Sequence, residues 1–288
     1  MRVGELLQEG YKILKSVQID SYQLDTELLL GKVIKKDRLF MLLNRDYEVD
    51  CDEAEQYFSL IEKRKSKMPI KYMLGECEFM GIPFYIREGV LIPRPDTEVL
   101  VETAIDEIKQ NSYKKLCDVC CGSGIIGISI VKFVDYIEAK CSDISEVAYE
   151  VTSENIKRLN IEDRVKVEKG NLLQGFIDRN EKFDIIVSNP PYIRGEVIET
   201  LMEDVKNYEP YQALYGGEDG LDFYRSITEQ SLKVLVCGGV LIFEIGHDQG
   251  EEVGNILRQN GFSDVVCIKD LAGKDRVVKG KFEIGCEK

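Results

Sequence analysis

The sequence predicts an α/β protein. Its main domain is a Rossmann-like, doubly wound and mostly parallel sheet of about seven strands with an antiparallel C-terminal hairpin, preceded by a small N-terminal helical domain. Three patterns predict this architecture. Apolar runs alternate with helical segments from residue 115 onward, as in βαβ units. Only 270–275 separate the last two apolar runs, which is too short for a helix and predicts a hairpin. Residues 1–68 show helical periodicity alone.

The N-terminal segment 1–68 is predicted to be a helical, partner-binding domain. Apolar side chains recur there at helix spacing, as in Val3, Leu6, Leu7, Tyr11 and Leu14. Asp50 stands where it can cap a further helix. The segment has no enzyme motif, so we interpret these stripes as core and expect roughly four or five short helices.

Residues 69–93 are predicted to be a β-hairpin linker, and residues 94–288 the main domain. Turn glycines such as Gly75 and Gly81 stand among aromatic residues in alternation, which is typical of a hairpin.

A proline-bounded loop opens the main domain. Pro93 and Pro95 prevent a helix from beginning before Pro95, and Asp96 or Thr97 is expected to cap the helix that follows. Arg94 lies in this loop, which either lines a pocket or serves only as a capped linker.

The main domain alternates strand and helix candidates. The strand candidates are 115–120, 137–142, 164–169, 183–188, 236–245, 264–268 and 276–283, with helices between them such as 145–159 and 220–235. Ligands of such sheets bind outside the carboxyl ends of the strands. Asp143, Asn171 and Asn189 all fall at predicted carboxyl ends, so we expect them to lie close together.

Composition restricts the class of partner. The 288-residue chain is 44% hydrophobic, with a net charge of −14 and a pI near 4.8, which argues against a broad surface for binding duplex DNA. No apolar run approaches the roughly 18 residues that span a bilayer, and no signal segment is evident. Nine cysteines, an odd number, suggest a reduced, cytoplasmic protein.

No metal site is expected. Cys117 and Cys120 have a metal-like or redox-like spacing, but they lie along a predicted strand without a second pair, and His247 is the single histidine. We therefore interpret these cysteines as buried structural residues.

A glycine-rich turn follows the first strand of the main domain. It reads Cys120-Cys121-Gly122-Ser123-Gly124 and leads directly into a helix, so backbone N–H groups there can face an anionic ligand. Asp143 lies about 25 residues beyond Asp118, where an acidic residue usually holds a ribose diol. This glycine turn predicts a nucleotide-type cofactor and leaves NAD and S-adenosylmethionine both open.

The tetrapeptide Asn189-Pro190-Pro191-Tyr192 follows the buried strand candidate 183–188. Pro190 lacks an N–H and offers only its carbonyl, while the Asn189 side-chain oxygen is a second acceptor. Tyr192 supplies a flat ring. Two acceptors and a ring suit the binding of a planar NH2 group, with its lone pair aimed at an electrophile. A proline-rich turn that only closes the strand is the alternative.

The two motifs together favour S-adenosylmethionine as the electrophile. A hydride-transfer enzyme has no use for an amine clamp at the fourth strand of the sheet. A doubly wound sheet with an antiparallel end is also the usual architecture of class I methyltransferases.

These residues together resemble the release-factor glutamine methyltransferase family, of the HemK/PrmC type, which belongs to the class I S-adenosylmethionine-dependent methyltransferases. The resemblance covers most of the chain. It is carried by 90–98, 189–193, 208–221, 244–249 and 269–276, while the helical domain matches mainly at Pro69–Gly75.

The resemblance implies that a methyl group passes from S-adenosylmethionine to the side-chain amide nitrogen of the glutamine in the Gly-Gly-Gln loop of peptide chain release factors. It implies that Asp143 binds the ribose hydroxyls and that residues 120–124 face the methionine part of the cofactor. Asn171 and Leu172 would lie by the adenine, and Asn189 would contact both cofactor and substrate.

The same resemblance implies a substrate site of Asn189, Pro190, Pro191 and Tyr192, with Arg94 either touching substrate or holding its loop. Asn189 and Pro190 would each accept one hydrogen of the amide. This favours a pyramidal nitrogen whose lone pair points at the sulfonium methyl. After transfer the nitrogen is cationic and acidic, so water can take its proton and we assign no general base.

The chain departs from the family pattern in two places. Cys120 stands where the family has the first glycine of its turn, and Asn171 stands where an acidic residue is common. Cysteine is small and an amide can still bind adenine, so the predicted cofactor is unchanged.

Three other functions remain open from the sequence. The same tetrapeptide serves methylation of the exocyclic amine of adenine in nucleic acid, although the charge of −14 disfavours it. A glutamine methyltransferase acting on a ribosomal protein would have the same fold and site. A non-catalytic adapter would bind cofactor or peptide without methyl transfer, although the intact clamp and Asp143 argue against it.

Overall fold

The computed structural model of the protein describes residues 1–283. Its helices are α1 Val3–Ser16, α2 Tyr22–Ile34, α3 Arg38–Leu43, α4 Cys51–Lys65, α5 Ile70–Leu74, α6 Glu98–Asn111, α7 Ile125–Phe133, α8 Glu146–Arg158, α9 Gln174–Asp178, α10 Gly195–Ile198, α11 Glu203–Tyr208, α12 Tyr211–Leu214, α13 Asp222–Ser231 and α14 Gly250–Gln259. Its strands are β1 Glu76–Phe79, β2 Ile82–Tyr85, β3 Lys115–Val119, β4 Glu138–Asp143, β5 Val165–Lys169, β6 Phe183–Ser188, β7 Leu235–Glu244, β8 Phe262–Lys269 and β9 Asp275–Phe282.

The first compact unit comprises Met1–Glu76 together with Met202–Tyr208. Its core forms where the apolar stripes of α1, α2 and α4 meet, as the helix periodicity predicts. Asp50 caps α4 by accepting a hydrogen bond from the Glu53 N–H at 2.8 Å, which confirms that expectation. A buried ion pair joins Arg64 to Asp25 at 2.7 Å within this helical unit.

The second unit contains a seven-stranded sheet in the order β5-β4-β3-β6-β7-β9-β8. Strands β3 to β7 are parallel, and β9 pairs antiparallel with both β7 and β8. The predicted fold class is therefore confirmed, including the C-terminal hairpin. The hairpin is placed so that its second strand lies between β7 and β8.

Helices cover both faces of this sheet, as a doubly wound fold requires. One apolar cluster includes α6 and α7 and contains Val101 and Ile128, both without exposed surface. The other includes α13 and α14 and contains Tyr224 and Leu257. The sheet lies between these layers, and the carboxyl ends of the parallel strands β3 to β7 share one edge.

The segment predicted as a linker, 69–93, begins with helix α5 before the hairpin β1–β2. The first compact unit runs from Met1 to Glu76, which matches neither predicted domain boundary, 68 or 93. Those boundaries stay predictions.

The capping expectation for α6 is wrong. Residues Pro95–Thr97 form a single 3-10 turn, and the Thr97 side chain does not cap the helix. The Thr97 side chain instead stabilises the charged form of the Glu244 carboxyl, and Asp96 pairs with Arg276 at 3.1 Å. Both side chains are engaged by strands of the sheet, so tertiary partners have replaced the local cap.

Candidate functional site

A cavity of about 370 Å³ lies at the carboxyl ends of strands β3 to β6. Its volume is within the usual range of small-molecule sites, roughly 300–1,000 Å³. It brings together most of the predicted site residues, namely Arg94, Cys120, Cys121, Gly122, Ser123, Asp143, Asn171, Leu172, Asn189 and Pro191. Among the described residues, Gly124, Pro190 and Tyr192 do not line it.

The glycine turn has an unusual backbone. Cys120, Gly122 and Gly124 have φ values of +60°, +56° and +78°. Glycine adopts this left-handed region without strain, but cysteine does not. A Cβ on Gly124 would also lie 2.7 Å from the Thr152 methyl group, so this glycine is required for close packing. The loss of glycine at Cys120 is therefore accommodated at some cost in backbone strain.

Helix α8 holds the glycine turn through two polar side chains that lie almost one turn apart. The Thr152 hydroxyl donates to the Gly122 carbonyl at 2.9 Å. The Asn155 side-chain NH2 donates to the carbonyls of Ser123 and Tyr85 at 2.9 and 3.0 Å, and its oxygen accepts from the Tyr85 N–H at 2.7 Å. The turn is consequently fixed to both α8 and the hairpin strand β2.

Asp143 ends strand β4 and lines the cavity. One carboxylate oxygen accepts the Gly122 N–H and the other accepts the Ser145 N–H, each at 2.9 Å. Burial raises the pKa of Asp143, while these N–H donors oppose the rise. Each carboxylate oxygen has a second lone pair, so Asp143 can accept further hydrogen bonds from hydroxyl groups.

Asn171 and Leu172 lie just beyond the carboxyl end of β5. The Ser142 hydroxyl donates to the Leu172 carbonyl at 3.1 Å, and the Gly170 N–H donates to the Asp143 carbonyl at 2.9 Å. Leu172 has a φ of +53°, an uncommon value for a branched side chain. These contacts hold the segment against β4, with Asn171 and Leu172 on the cavity wall.

Asn189 follows directly after strand β6. The neighbouring Ser188 is fully buried, and its hydroxyl donates to the Val119 carbonyl at 2.6 Å. This bond ties the end of β6 to the end of β3, so Asn189 lies close to the glycine turn. Asn189 and Pro191 line the cavity.

The next part of the tetrapeptide packs into the protein. The Tyr192 ring packs against the apolar cluster around α13 and α14, and burial raises its pKa well above the ordinary value. The Gln249 side chain donates to the carbonyls of Tyr192 and Gly220 at 3.1 and 3.2 Å. Gly216 allows close approach, because a Cβ there would lie 2.6 Å from the Tyr192 Cα. The backbone of this loop is therefore fixed from two sides.

Arg94 forms an ion pair with Glu209 at 2.5 Å, and the Glu209 carboxylate is almost fully buried. The other carboxylate oxygen of Glu209 accepts the Ile92 N–H at 3.3 Å. This network anchors the proline-bounded loop. Arg94 therefore holds its own loop in place and also lines the cavity.

Two fully or almost fully buried carboxyl groups lie near the strand ends. Burial raises the pKa of Asp118 to about 7, although the Gly127 N–H bond at 2.9 Å opposes this. Burial also raises the pKa of Glu244 to about 7, opposed by the polar side chains of Thr97 and Asn189 and by the charge of Arg276.

Four polar residues that hold this site were not predicted from the sequence: Thr152, Asn155, Glu244 and Gln249. Each is at most 2% exposed. A signal was present for two of them, since Thr152 and Asn155 stand on the apolar face of α8, between the buried residues Val151 and Ile156. A buried polar side chain at such a position needs a hydrogen-bond partner.

Residues 1–283 contain no group of three or more His, Cys, Asp or Glu side chains placed to hold a metal ion. Within the same residues, no helix combines the length and apolar character needed to cross a bilayer.

Comparison with known proteins identifies relatives over both parts of the chain. Residues 5–75 match the family model described as the PrmC N-terminal domain, and residues 95–207 match the methyltransferase small domain. The chain is 59% identical over 281 residues to the release factor glutamine methyltransferase of Clostridium botulinum, covering 98% of this chain and 99% of that protein. It is 53% identical over 278 residues to that of Clostridium acetobutylicum, covering 96% and 98%.

Among solved structures, the chain is similar to the 16S rRNA N2 G1207 methyltransferase RsmC of T. thermophilus, solved in complex with AdoMet and guanosine. The TM-score is 0.52 at 13% identity, covering 72% of this chain and 50% of that chain. At this identity the likeness shows the fold alone.

Proposed function

Because the chain belongs to the release factor glutamine methyltransferase family, we propose that it transfers a methyl group from S-adenosylmethionine to a glutamine side-chain amide nitrogen in peptide chain release factors. The acceptor is the glutamine of the Gly-Gly-Gln loop. The observation that carries this proposal is the cavity at the strand ends, where Asn189 shares one wall with the glycine turn and Asp143.

The residues of the cavity fit S-adenosylmethionine. Asp143 keeps lone pairs for the two ribose hydroxyls after its backbone contacts are counted. Gly122 has open space where a Cβ would point, so a ligand can approach the backbone of the turn closely. The methionine part would lie along the turn 120–124, and the adenine beside Asn171 and Leu172.

Asn189 and Pro190 would orient the substrate amide. An amide nitrogen is a weak nucleophile because its lone pair is delocalised into the carbonyl. The Asn189 side-chain oxygen and the Pro190 carbonyl would each accept one hydrogen of the NH2 group and favour a pyramidal nitrogen. When bound, S-adenosylmethionine supplies a methyl group already activated by the positive sulfur. Positioning of this kind can lower a barrier by up to about 7–11 kcal/mol in ideal cases.

The loop that carries Asn189 is rigid enough for this role. Ser188 bonds to Val119, Gln249 bonds to the Tyr192 carbonyl, and Gly216 packs against the Tyr192 backbone. A small displacement of the acceptors would misdirect the nitrogen lone pair, so this support serves the chemistry. Tyr192 contributes by fixing the loop through its partly buried ring.

Asn189→Ala tests the proposal because it removes one of the two acceptors. We expect the single-turnover rate of methyl transfer to fall on the order of 10²-fold or more. S-adenosylmethionine affinity, measured by calorimetry, should change far less. Asn180→Ala, on an exposed turn before β6, is the matched control and should leave both unchanged. A rate near that of the wild type in Asn189→Ala would contradict the assigned role.

A further inference from the structure

Glu244 and Asn189 occupy equivalent positions on neighbouring strands. Strands β6 and β7 are parallel, and their register pairs Ser188 with Phe243. The next residues along the chain are Asn189, just beyond the end of β6, and Glu244, the last residue of β7. The two side chains therefore meet at the carboxyl edge of the sheet, beside the cavity that Asn189 lines.

The Glu244 carboxyl group is buried and only partly satisfied. Its residue is 2% exposed, and the polar side chains of Thr97 and Asn189 both favour its ionised form. Across the described part of the chain, the oxygen Oε2 has no hydrogen-bond partner. A buried acceptor without a partner is destabilising, so a carboxylate at this position needs an explanation.

A carboxylate at this position would fix the orientation of the Asn189 side-chain amide. An ionised carboxyl group only accepts hydrogen bonds, so the Asn189 side chain must present its NH2 group to Glu244. The two ends of an amide point in different directions. Presenting NH2 to Glu244 leaves the Asn189 oxygen free for the cavity, where the substrate amide requires an acceptor.

We propose that Glu244 is a positioning residue for methyl transfer: its carboxylate holds the Asn189 amide in the orientation whose oxygen accepts a hydrogen from the substrate glutamine. This inference rests on the proposed function. Glu244 acts through Asn189 and does not itself line the cavity among the described residues.

The charged and titratable neighbours of Glu244 come from four other elements. Asp96 lies in the turn before α6, Arg276 on β9, Tyr192 after β6 and Tyr224 on α13. Arg276 favours the ionised form of Glu244, but it also forms ion pairs with Asp96 and Asp270 at 3.1 Å each. The positive charge of Arg276 is therefore shared among Glu244, Asp96 and Asp270. The Tyr224 hydroxyl donates to the backbone carbonyl of Glu244 and not to its carboxyl group.

The balance of these effects places the ionisation of Glu244 near neutral pH. Burial raises its pKa to about 7, so the carboxylate predominates only above that pH. When protonated, Glu244 can donate to the Asn189 oxygen, and the amide can turn about its Cβ–Cγ bond to present NH2 to the substrate. The acceptor is then lost. Methyl transfer should therefore decline as the pH falls below about 7.

The test is the single-turnover rate of methyl transfer to a release factor between about pH 5.5 and 9, with S-adenosylmethionine affinity measured in parallel. The wild type should show a fall in rate below about pH 7. Glu244→Gln should lose that acid limb and transfer at about a tenth or less of the wild-type rate at pH 8, because a neutral amide orients Asn189 poorly. Its cofactor affinity should stay within about threefold.

A second variant keeps the proposal testable if Glu244→Gln does not fold. Thr97→Val removes a hydroxyl group that favours the carboxylate, so the acid limb should move to higher pH; an unchanged limb would contradict the role of Glu244.

The two hypotheses fail differently. If the wild type transfers methyl groups but Glu244→Gln keeps the same rate and acid limb, the positioning role is wrong and the proposed function stands. An equal loss of cofactor affinity and rate in Glu244→Gln would indicate a merely structural role and would also overturn it. No transfer by the wild type at any pH would remove both.

Discussion

Asn155 offers a sharp test of how the glycine turn is held. Its fully buried side chain makes three hydrogen bonds, to the Tyr85 N–H, the Tyr85 carbonyl and the Ser123 carbonyl. Asn155→Ala removes all three and introduces no new polar group. Three backbone groups in two other segments then lose their side-chain partner.

The expected cost follows from those three groups. A buried donor or acceptor left unpaired costs about 1–3 kcal/mol. Relaxation and water entry recover part of the sum, so we expect a loss of about 3–5 kcal/mol in the free energy of unfolding. For a domain of this size each kcal/mol shifts Tm by about 2–4 °C, which gives a decrease of roughly 6–20 °C.

Chemical denaturation and calorimetry would measure this loss. Asn111→Ala is the matched control, because Asn111 is exposed and its NH2 group donates only within α6, to Glu107. The control should lie within about 0.5 kcal/mol of the wild type. S-adenosylmethionine affinity should also fall in Asn155→Ala alone, because Ser123 lines the cavity. A destabilisation below about 1 kcal/mol would refute the view that Asn155 holds the turn.

The further predictions concern four variants at three side chains. Asp143→Asn should weaken S-adenosylmethionine binding on the order of 10- to 100-fold in calorimetry, because an NH2 group replaces one acceptor while the Gly122 and Ser145 N–H groups still need two. Cys120→Gly should change the free energy of unfolding by less than about 1 kcal/mol, because relief of strain at φ +60° is offset by chain entropy. Cys120→Val should lose about 1–3 kcal/mol, because a β-branched residue resists that φ. Glu244→Gln should become more stable relative to the wild type as the pH rises, by about 3 kcal/mol between pH 4 and 8.

The direction of the Glu244 pKa shift determines how the stability difference between Glu244→Gln and the wild type changes with pH. The folded-state pKa of Glu244 is about 7, against an ordinary value of 4.5. The folded protein therefore binds the proton more tightly than the unfolded chain. Its stability is highest below about pH 4.5 with respect to this group and declines until about pH 7. Asp118, whose pKa is also raised to about 7, remains in both proteins, so the difference isolates Glu244.

The controls for these variants are straightforward. Asp178→Asn changes a carboxylate outside the cavity lining among the described residues and should leave cofactor affinity unchanged. Equal affinity of Asp143→Asn and the wild type would contradict the ribose role. Equal stability of Cys120→Val and Cys120→Gly would show that φ at this position carries no strain. A stability difference for Glu244→Gln that does not vary with pH would contradict the pKa assigned to Glu244.

The sheet and the cavity could be predicted because they depend on local patterns. Apolar runs, short connections and the rule for strand ends placed Asp143, Asn171 and Asn189 at one edge before any contact was known. The structure brings all three to one cavity. Their chemical roles stay predictions.

The supporting contacts could not be predicted because they join distant parts of the chain. Asn155 bonds to Tyr85, 70 positions away, and Gln249 bonds to Tyr192, 57 positions away. Periodicity also carries no information about strand order, so the position of β9 between β7 and β8 was not specified. Thr97 shows how a tertiary partner can override a local signal, since Glu244 takes the side chain that a cap would have used.

The most direct test of the proposed function is methyl transfer from labelled S-adenosylmethionine to a purified release factor. A second sample carries a Gln→Ala change in the Gly-Gly-Gln loop. If the proposed function is correct, label enters the intact release factor and not the altered one. Label in neither protein, with label found instead in added nucleic acid, would contradict it and indicate methylation of the adenine amine.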